Sequence, residues 1–301
     1  MEKILRTQVI YAMSRHNLPV AHVPSGSDVC FETCDCFSDQ ITSEQKAVFN
    51  ELDWKHINPA TGPIFVENAQ PGDVLRVEIK SIILHSQQAV MVTAPGLGVI
   101  GDELVQPQIR TVPIEDGYAH LPGGVRWPLK PMIGVIGVAP SGDEISCGTP
   151  DAHGGNMDCK IITEGCTLWL AGDGEGGLFA LASENAAMGD GEVSVCGLEV
   201  PGEVVVNLSV IKGHPLPTPM MSTADALYTL ASAATLDEAA QIATRNMAHF
   251  VAEHTPISLA DAINLLSITG DLQICQVVDP LKTCRFALPR AVANQLKLTL
   301  E

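Results

Sequence analysis

Apolar and polar residues alternate along three segments in the first two thirds of the chain. An alternation with a period of two is typical of a β-strand that buries one face and leaves the other in water. Each segment follows a turn sequence that contains proline and glycine, which favours a strand that starts after a turn. The alternating segments are residues 29–33, 74–83 and 204–211.

A fourth segment is apolar on both faces. Residues 131–138 read PMIGVIGV and are followed closely by Pro140. A short apolar run between prolines predicts a strand buried on both sides. Gly134 and Gly137 have no side chain, so we expect other backbone to come close to this strand.

Helix signals begin after the proline-rich segment at 215–219. At three places a serine or threonine is followed three residues later by an acid, which is the pattern of a helix N-cap. Behind the second place, apolar residues recur at spacings of three and four and predict an amphipathic helix of about four turns. Behind the third, an apolar run predicts a buried helix that ends near Gly270. The three capping residues are Ser222, Thr235 and Ser258.

These patterns predict an α+β fold that is mainly β, with sandwich-like or barrel-like sheets and a helical segment in the C-terminal third. We expect residues 1–220 to form a β-rich portion that carries the functional loops. We expect residues 221–301 to form a helical portion packed on it, so that both make one compact unit. A chain of 301 residues is long enough to bury a full hydrophobic core.

Charge and composition narrow the possible partners. The chain has 35 acidic and 17 basic residues and a formal net charge of −18, so it is not expected to bind nucleic acid. Residues 1–6 lack the apolar run of a signal peptide, and no later run has the length of a membrane span. The nine cysteines show no repeated pair spacing, which favours reduced thiols. We therefore expect a cytoplasmic protein that does not bind membranes.

Two polar, glycine-rich loops are the candidates for chemistry. Residues 151–158 read DAHGGNMD, and residues 187–192 read AMGDGE. Glycine makes both segments poor helix formers and allows their side chains to fold over a pocket. Ionisable groups buried in such loops are seldom there for packing alone. We therefore predict that the functional site is built from these two loops.

Six motifs in order along the chain resemble those of the acetamidase/formamidase family. They lie at residues 58–63, 71–73, 133–140, 153–158, 186–192 and 271–280. The resemblance covers nearly the whole chain and implies a mainly β fold with some helix. It also implies a cytoplasmic homodimer that hydrolyses short linear amides to ammonia and a carboxylic acid, with a divalent metal ion at the site.

Amide hydrolysis needs an activated water, a group that stabilises the oxyanion and an acid that protonates the leaving nitrogen. We predict that Glu192 acts first as the base and then as the acid. We predict that the amide of Asn156 stabilises the oxyanion. The side chains of His153, Asp158 and Asp35 are expected to be ligands of the divalent ion.

The chain departs from the family pattern just before residue 186. Relatives usually read Gly-Asp-Leu-His there, whereas residues 182–185 of this chain read ASEN, so Ser183 and Asn185 replace an aspartate and a histidine. On a strand, both changes would share one face and Glu184 would point the other way. Serine and asparagine are weak zinc ligands, but the Asn185 carbonyl can bind a hard ion such as calcium. We therefore expect the ion, zinc or calcium, to be weakly bound or lost.

Two functions from different classes stay open. The intact loops favour an amidase that acts through Glu192. The changes at Ser183 and Asn185 favour a non-catalytic or repurposed member that binds a small amide or carboxylate ligand. In both cases we expect Ser183, Asn185 and Asp190 to contact the small molecule, with an Asx bond that fixes the turn as the alternative role of Asp190.

Overall fold

The computed structural model describes residues 1–42, 44, 46–172, 174–213 and 216–300, and for residues 46, 47 and 183 only the backbone. The strands of the N-terminal half are β1 Glu2–Ile4, β2 Val9–Ile10, β3 Ala12–Met13, β4 Ala21–Val23, β5 Ser27–Glu32, β6 Ala60–Val66, β7 Asp73–Leu84, β8 Gln88–Thr93, β9 Gln108–Glu115, β10 Tyr118–Leu121, β11 Val125–Pro128, β12 Met132–Gly137 and β13 Ile145–Ser146. The later strands are β14 Gly154–Asn156, β15 Thr167–Gly172, β16 Phe179–Asn185, β17 Glu199–Val200, β18 Gly202–Ile211, β19 Met220–Ser222, β20 Ala226–Ala233, β21 Asp271–Gln276 and β22 Lys282–Pro289. The helices are α1 Lys46–Glu51, α2 Leu236–His254, α3 Leu259–Thr269 and α4 Arg290–Gln295.

Two large sheets form most of the fold, so the predicted mainly β, α+β class is confirmed. The first sheet has the strand order β1-β5-β18-β7-β15-β19-β20-β22-β21. The second follows the path β11-β10-β9-β8-β17-β16-β12-β14, with β6 attached to β16. The main core lies between the sheets, where Phe31 of the first meets Phe179 of the second edge-on, with ring centroids 5.6 Å apart. This packing is that of a β-sandwich.

The three alternating segments form the neighbouring strands β5, β18 and β7, as their period predicts. In β18 the side chains of Val204, Val206 and Leu208 are buried, whereas Val205 and Asn207 between them are partly exposed. One face of this strand therefore packs in the core, and the other faces water.

The predicted doubly buried strand is β12, which is buried at every position and lies between β14 and β16. A Cβ atom on Gly137 would lie 2.8 Å from the backbone nitrogen of Gly155 and 2.9 Å from the backbone oxygen of His153. Only glycine fits there, because the chain after His153 runs directly against β12. This contact fixes the path of the first functional loop.

Two of the three predicted helix starts are confirmed. The side chain of Thr235 accepts the backbone N–H of Glu238 at the start of α2. The side chain of Ser258 accepts the backbone N–H of Asp261 at the start of α3. This helix ends at its C-cap, Gly270. The prediction at Ser222 is wrong, because this residue ends β19 and the chain then turns into β20.

The sheet continues past residue 220, the predicted limit of the β-rich portion. Strand β19 pairs with β15 on one side and with β20 on the other, so the C-terminal residues extend the first sheet. Helix α2 covers the outer face of this sheet, where Met247 and Phe250 belong to a second core with Trp169 and Met220. Among the residues described, no helix has both the length and the apolar character needed to span a membrane.

Candidate active site

Three acidic side chains from distant parts of the chain meet at one place. One carboxylate oxygen from each of Asp158, Glu192 and Asp279 lies within 4.8 Å of the other two. Asp158 and Glu192 are buried, and Asp279 is partly buried. Oxygen ligands at such a spacing suit a hard divalent cation, so this acidic cluster is a candidate metal site.

Backbone contacts bring the three segments together. Asp158 lies two residues after β14, which pairs with the central strand β12. The backbone N–H of Gly191, next to Glu192, donates to the carbonyl oxygen of Cys275 in β21 at 2.8 Å. At the end of β21, the side-chain oxygen of Gln276 accepts the backbone N–H of Asp279 at 3.0 Å. The fold therefore places all three acids on loops that adjoin paired strands.

The backbone at this place adopts a left-handed conformation that side chains disfavour. The φ angles are 41° at Asp158, 46° at Glu192 and 52° at Asn58. A residue other than glycine in such a conformation costs about 1–3 kcal/mol and persists only where its surroundings hold it. All three residues line the same cavity, so part of the strained backbone of the chain lies around the acidic cluster.

The acidic cluster opens into a cavity of about 350 Å³. A cavity of this size is at the lower end of the range for small-molecule sites. Its walls combine apolar side chains with polar groups that can orient a ligand. The polar residues that line it besides the cluster are Asn58, Ser146, Thr149, Asn156 and Glu199, and the larger apolar ones are Phe37, Trp54, Ile57, Leu97, Val195 and Val278.

Burial and mutual repulsion raise the pKa values of the clustered acids. Burial raises the pKa of Glu192 to about 11, and the charges of Asp158, Asp279 and Glu199 add to the effect. Burial raises the pKa of Asp158 to about 6, although hydrogen bonds with Asp279 and Asn156 lower it. At neutral pH Glu192 therefore holds a proton or has a cation in its place, whereas Asp158 is mostly ionised.

Asn156 lies beside the cluster, as its predicted role requires. Its Nδ2 donates to Oδ2 of Asp279 at 3.1 Å. An amide nitrogen carries two N–H donors, and hydrogen bonds with Asn156 lower the pKa values of both Asp158 and Asp279, so this side chain bridges two acids of the cluster. The Oε2 atom of Glu192 is buried and has no hydrogen-bond partner within the described part of the chain.

The departure from the family pattern falls on β16. Asn185 is paired in register with Glu199, which lines the cavity. The Oδ1 and Nδ2 atoms of Asn185 are both buried, and neither has a hydrogen-bond partner among the residues that the structure describes. Glu184 is bonded elsewhere, because its carboxylate accepts the hydroxyl of Thr33, and burial raises its pKa to about 7. The side chain of Ser183 lies outside the described residues.

His153 lies in a different cavity from the acids. This second cavity has a volume of about 390 Å³ and is lined by residues 140–145, Asp151 and Ala171 together with His153. The imidazole is buried, neither ring nitrogen has a partner among the described residues, and burial lowers its pKa to about 4. His153 is therefore neutral at pH 7 and does not line the acidic cavity.

Asp35 fixes a turn beside the site. Its Oδ1 accepts the backbone N–H of Phe37 at 2.9 Å and that of Asp39 at 2.8 Å. Phe37 lines the acidic cavity, but Asp35 is not among the lining residues. Of the three metal ligands predicted from the sequence, the acidic cluster contains only Asp158.

Asp190 is held by two cations. Its carboxylate accepts two hydrogen bonds from Arg285, at 2.8 and 2.7 Å, and lies 2.9 Å from the Nζ atom of Lys160. Burial acts to raise the pKa of Asp190, but these two cations hold it below its usual value. These contacts tie the second functional loop to β22 and to the residues after Asp158.

Sequence reasoning missed three residues that matter here. Asp279 lies in the last of the six motifs, but no local pattern placed it near Glu192. Glu199 is flanked by Leu198 and Val200 in a short buried strand, and Arg285 interrupts an apolar run in β22. A charged residue within a buried strand was the available signal for both, because such residues are rarely buried without a partner.

Comparisons with known proteins identify the family to which this sequence and fold are similar. Residues 15–146 and 145–236 match the model of the Acetamidase/Formamidase family. An acetamidase from Bacillus halodurans, known from a crystal structure, is 45% identical in sequence to this chain. The match covers 98% of this chain and 100% of the acetamidase chain, with a TM-score of 0.95. A predicted acetamidase/formamidase from Thermoanaerobacter tengcongensis, also known from a crystal structure, is 45% identical as well, with 99% of both chains covered and a TM-score of 0.96.

A more distant relative is a candidate formamidase of Schizosaccharomyces pombe. It is 23% identical over 257 residues, which are 65% of this chain. The match spans only 62% of the length of the yeast protein.

Proposed function

Because the chain belongs to the acetamidase/formamidase family, we propose that it hydrolyses a short linear amide to ammonia and a carboxylic acid in the acidic cavity. The observation that carries the proposal is the meeting of Asp158, Glu192 and Asp279 at a cavity of about 350 Å³. Formamide and acetamide have few atoms, and a cavity of this size holds one with the water that attacks it.

Glu192 is the proton carrier in this proposal. Its Oε2 atom has no partner among the described residues, so it is available to a water molecule in the cavity. Burial and neighbouring acids raise the pKa of Glu192, so the empty cluster favours its protonated form. With a cation held by the cluster, Glu192 would be ionised and could take a proton from water and then give it to the leaving nitrogen. In this proposal Asn156, which lines the cavity and bonds the clustered acids, turns one N–H from a carboxyl group to the developing oxyanion.

The acidic cluster also fits a divalent cation. Its three candidate ligands are carboxylates, which suit calcium or magnesium, whereas zinc sites usually include imidazole or thiolate. We therefore propose that Asp158, Glu192 and Asp279 hold a hard ion. When bound, such an ion neutralises the cluster and polarises an amide carbonyl.

The test is an ammonia-release assay with formamide, acetamide and propionamide, run after chelation and again with calcium, magnesium or zinc added. We expect turnover of at least one amide, with calcium or magnesium more effective than zinc. The control is Glu144→Gln, which changes an exposed acid at the second cavity and should keep wild-type turnover. A folded protein that turns over no amide with any ion would refute the proposal.

One observation favours a second function, the binding of a small amide or carboxylate without turnover. Asn185 stands where the family usually has histidine, and both polar atoms of its buried side chain lack partners among the described residues. A ligand that reached this buried side chain from beside Glu199, its neighbour that lines the acidic cavity, would satisfy these atoms. Thermal stabilisation by acetamide or acetate, combined with no ammonia release, would support this function.

From the resemblance to the family, we also propose that the protein is a homodimer and is located in the cytoplasm. Light scattering during size-exclusion chromatography measures the mass of the assembly. A mass of one chain over the working concentration range would contradict the dimer.

A further inference from the structure

The side chain of Arg285 contacts more than one of the segments that carry the acidic cluster. It projects from β22 and is 2% exposed. Its Nη1 lies 2.8 Å from Oδ1 of Asp190, and its Nη2 lies 2.7 Å from Oδ2 of the same residue. Nη1 also lies 3.8 Å from the sulfur of Cys159 and 3.5 Å from the sulfur of Cys275. One buried guanidinium therefore bonds three separate segments of the chain.

Each of these contacts is close in sequence to one acid of the cluster. Cys159 follows Asp158 directly, Asp190 lies two residues before Glu192, and Cys275 lies four residues before Asp279. The acids themselves repel one another when ionised, since burial weakens the screening between like charges. A tie placed just behind the cluster opposes that repulsion.

Two further contacts join the same segments. Lys160 forms an ion pair with Asp190 at 2.9 Å, and Gly191 donates its backbone N–H to Cys275 at 2.8 Å. Lys160 is partly exposed, and a solvated ion pair of this kind contributes little on its own. The buried, bidentate pair of Arg285 with Asp190 is the stronger contact.

The geometry points to Arg285 as the positioning residue of the acidic cluster, since it holds the segments of Asp158, Glu192 and Asp279 in register. This role rests on the proposed function, in which those three acids act together. Arg285 does not line the acidic cavity, so it acts through the loops and not on the substrate. Lysine is a poor replacement, because a single ammonium cannot reproduce the planar fork that bonds both oxygens of Asp190 and both sulfurs.

The test compares Arg285→Gln with Arg290→Gln by hydrogen exchange and mass spectrometry. Arg290 is a matched control, because it also makes several hydrogen bonds, but to Ser222 and Thr223, away from the acids. We expect Arg285→Gln to increase exchange in all three segments, at residues 158–162, 187–193 and 274–280. We expect Arg290→Gln to leave these segments as in the wild type. Unchanged exchange in residues 187–193 of Arg285→Gln would overturn the proposal.

Kinetics give a second reading that a purely structural role would not produce. Misplacement of catalytic groups by about 1 Å costs on the order of 100-fold in rate, so we expect Arg285→Gln to lose about that in kcat with little change in KM. Asp190→Asn should lose a similar factor, and the double variant no more than either single one, because both break the same contact. Fully additive losses would overturn the proposal.

Arg285→Lys covers the case in which Arg285→Gln does not fold, because it keeps the buried charge and loses only the fork. We expect it to show the same three-segment increase in exchange and a loss of kcat between those of the wild type and Arg285→Gln. Wild-type exchange and wild-type kcat in Arg285→Lys would overturn the proposal. A wild-type protein without amidase activity would refute the proposed function, whereas the exchange comparison would still decide the role of Arg285.

Discussion

His153 and Asp158 belong to one loop and lie five residues apart, but the fold places them at different sites. Asp158 joins the acidic cluster, whereas His153 lines a second cavity. Strand β14 runs between them, and an extended chain rises about 3.3 Å per residue, so five residues can span roughly 16 Å. Neighbours in a β-rich sequence are therefore placed at different sites more readily than in a helix.

The two cavities also deal with buried charge in different ways. His153 avoids a buried charge by staying neutral, with a pKa of about 4. Glu192 and Asp279 avoid it by holding protons or a cation, because burial and neighbouring acids raise their pKa values. Only the second arrangement leaves groups that exchange a proton or an ion near neutral pH, which is what hydrolysis requires.

The largest expected effect separates the two cavities by activity. Glu192→Gln removes the proton carrier and should lower kcat by about 100-fold to 10,000-fold. His153→Gln changes the other cavity and should leave kcat nearly unchanged. Steady-state ammonia release by both variants, with their folding checked by circular dichroism, measures the difference. Equal losses in the two variants would show that the cavities act as one site.

The next effect concerns stability and acid pH. The pKa of His153 is about 4 in the folded protein and 6.5 in the unfolded chain, so the unfolded chain binds this proton first as pH falls. The neutral imidazole therefore contributes to the free energy of unfolding above pH 6.5. This contribution, roughly 3 kcal/mol, is lost as the pH falls from 6.5 to 4. Urea unfolding at pH 7, 5 and 4 should show that His153→Gln loses less stability on acidification than the wild type. A constant difference between the two proteins across this range would contradict the buried neutral imidazole.

A smaller effect is expected from the divalent ion. Calcium at about 100 times its dissociation constant stabilises a folded protein by about 2.7 kcal/mol. We expect chelator-treated protein to gain this stability when calcium is added, and Asp279→Asn to lose most of the gain. His153→Gln should keep the gain, because its cavity is separate from the acidic cluster. Loss of the calcium effect in His153→Gln would place its imidazole at the ion.

Local patterns were enough to predict four strands and the starts of the two longest helices. Alternation predicted β5, β7 and β18, and the apolar run predicted β12. These predictions worked because the pattern of apolar residues in a strand depends on which of its faces are buried. The wrong helix start at Ser222 has a local cause. The Thr223 hydroxyl accepts the backbone N–H groups of Asp225 and Ala226 in a tight turn. A hydroxyl that bonds nearby N–H groups stabilises a turn as well as a helix start, so the pattern alone does not separate the two.

The site was only partly predictable from the sequence. Asp158 and Glu192 stood out because glycines surround them, and such loops keep side chains near a pocket. Asp279 did not, since its approach to Glu192 depends on the pairing of Gly191 with Gln276, a contact between distant segments that leaves no local pattern. Arg285 was missed for the same reason, because its partners lie on other segments.

The last expected effect is a gain in stability from the substitution that removes the proton carrier. The pKa of Glu192 is about 11 when folded and 4.5 when unfolded, so the wild type loses stability as pH rises above 4.5. Glu192→Gln removes this loss, because its amide needs no proton in the folded state, and should be more stable than the wild type at pH 8 without divalent ions. Adding calcium should reverse the order, because the variant lacks one ligand. Thermal unfolding with and without calcium measures both signs, and a variant less stable than the wild type in both conditions would mean that Glu192 is not held against its neighbours' repulsion.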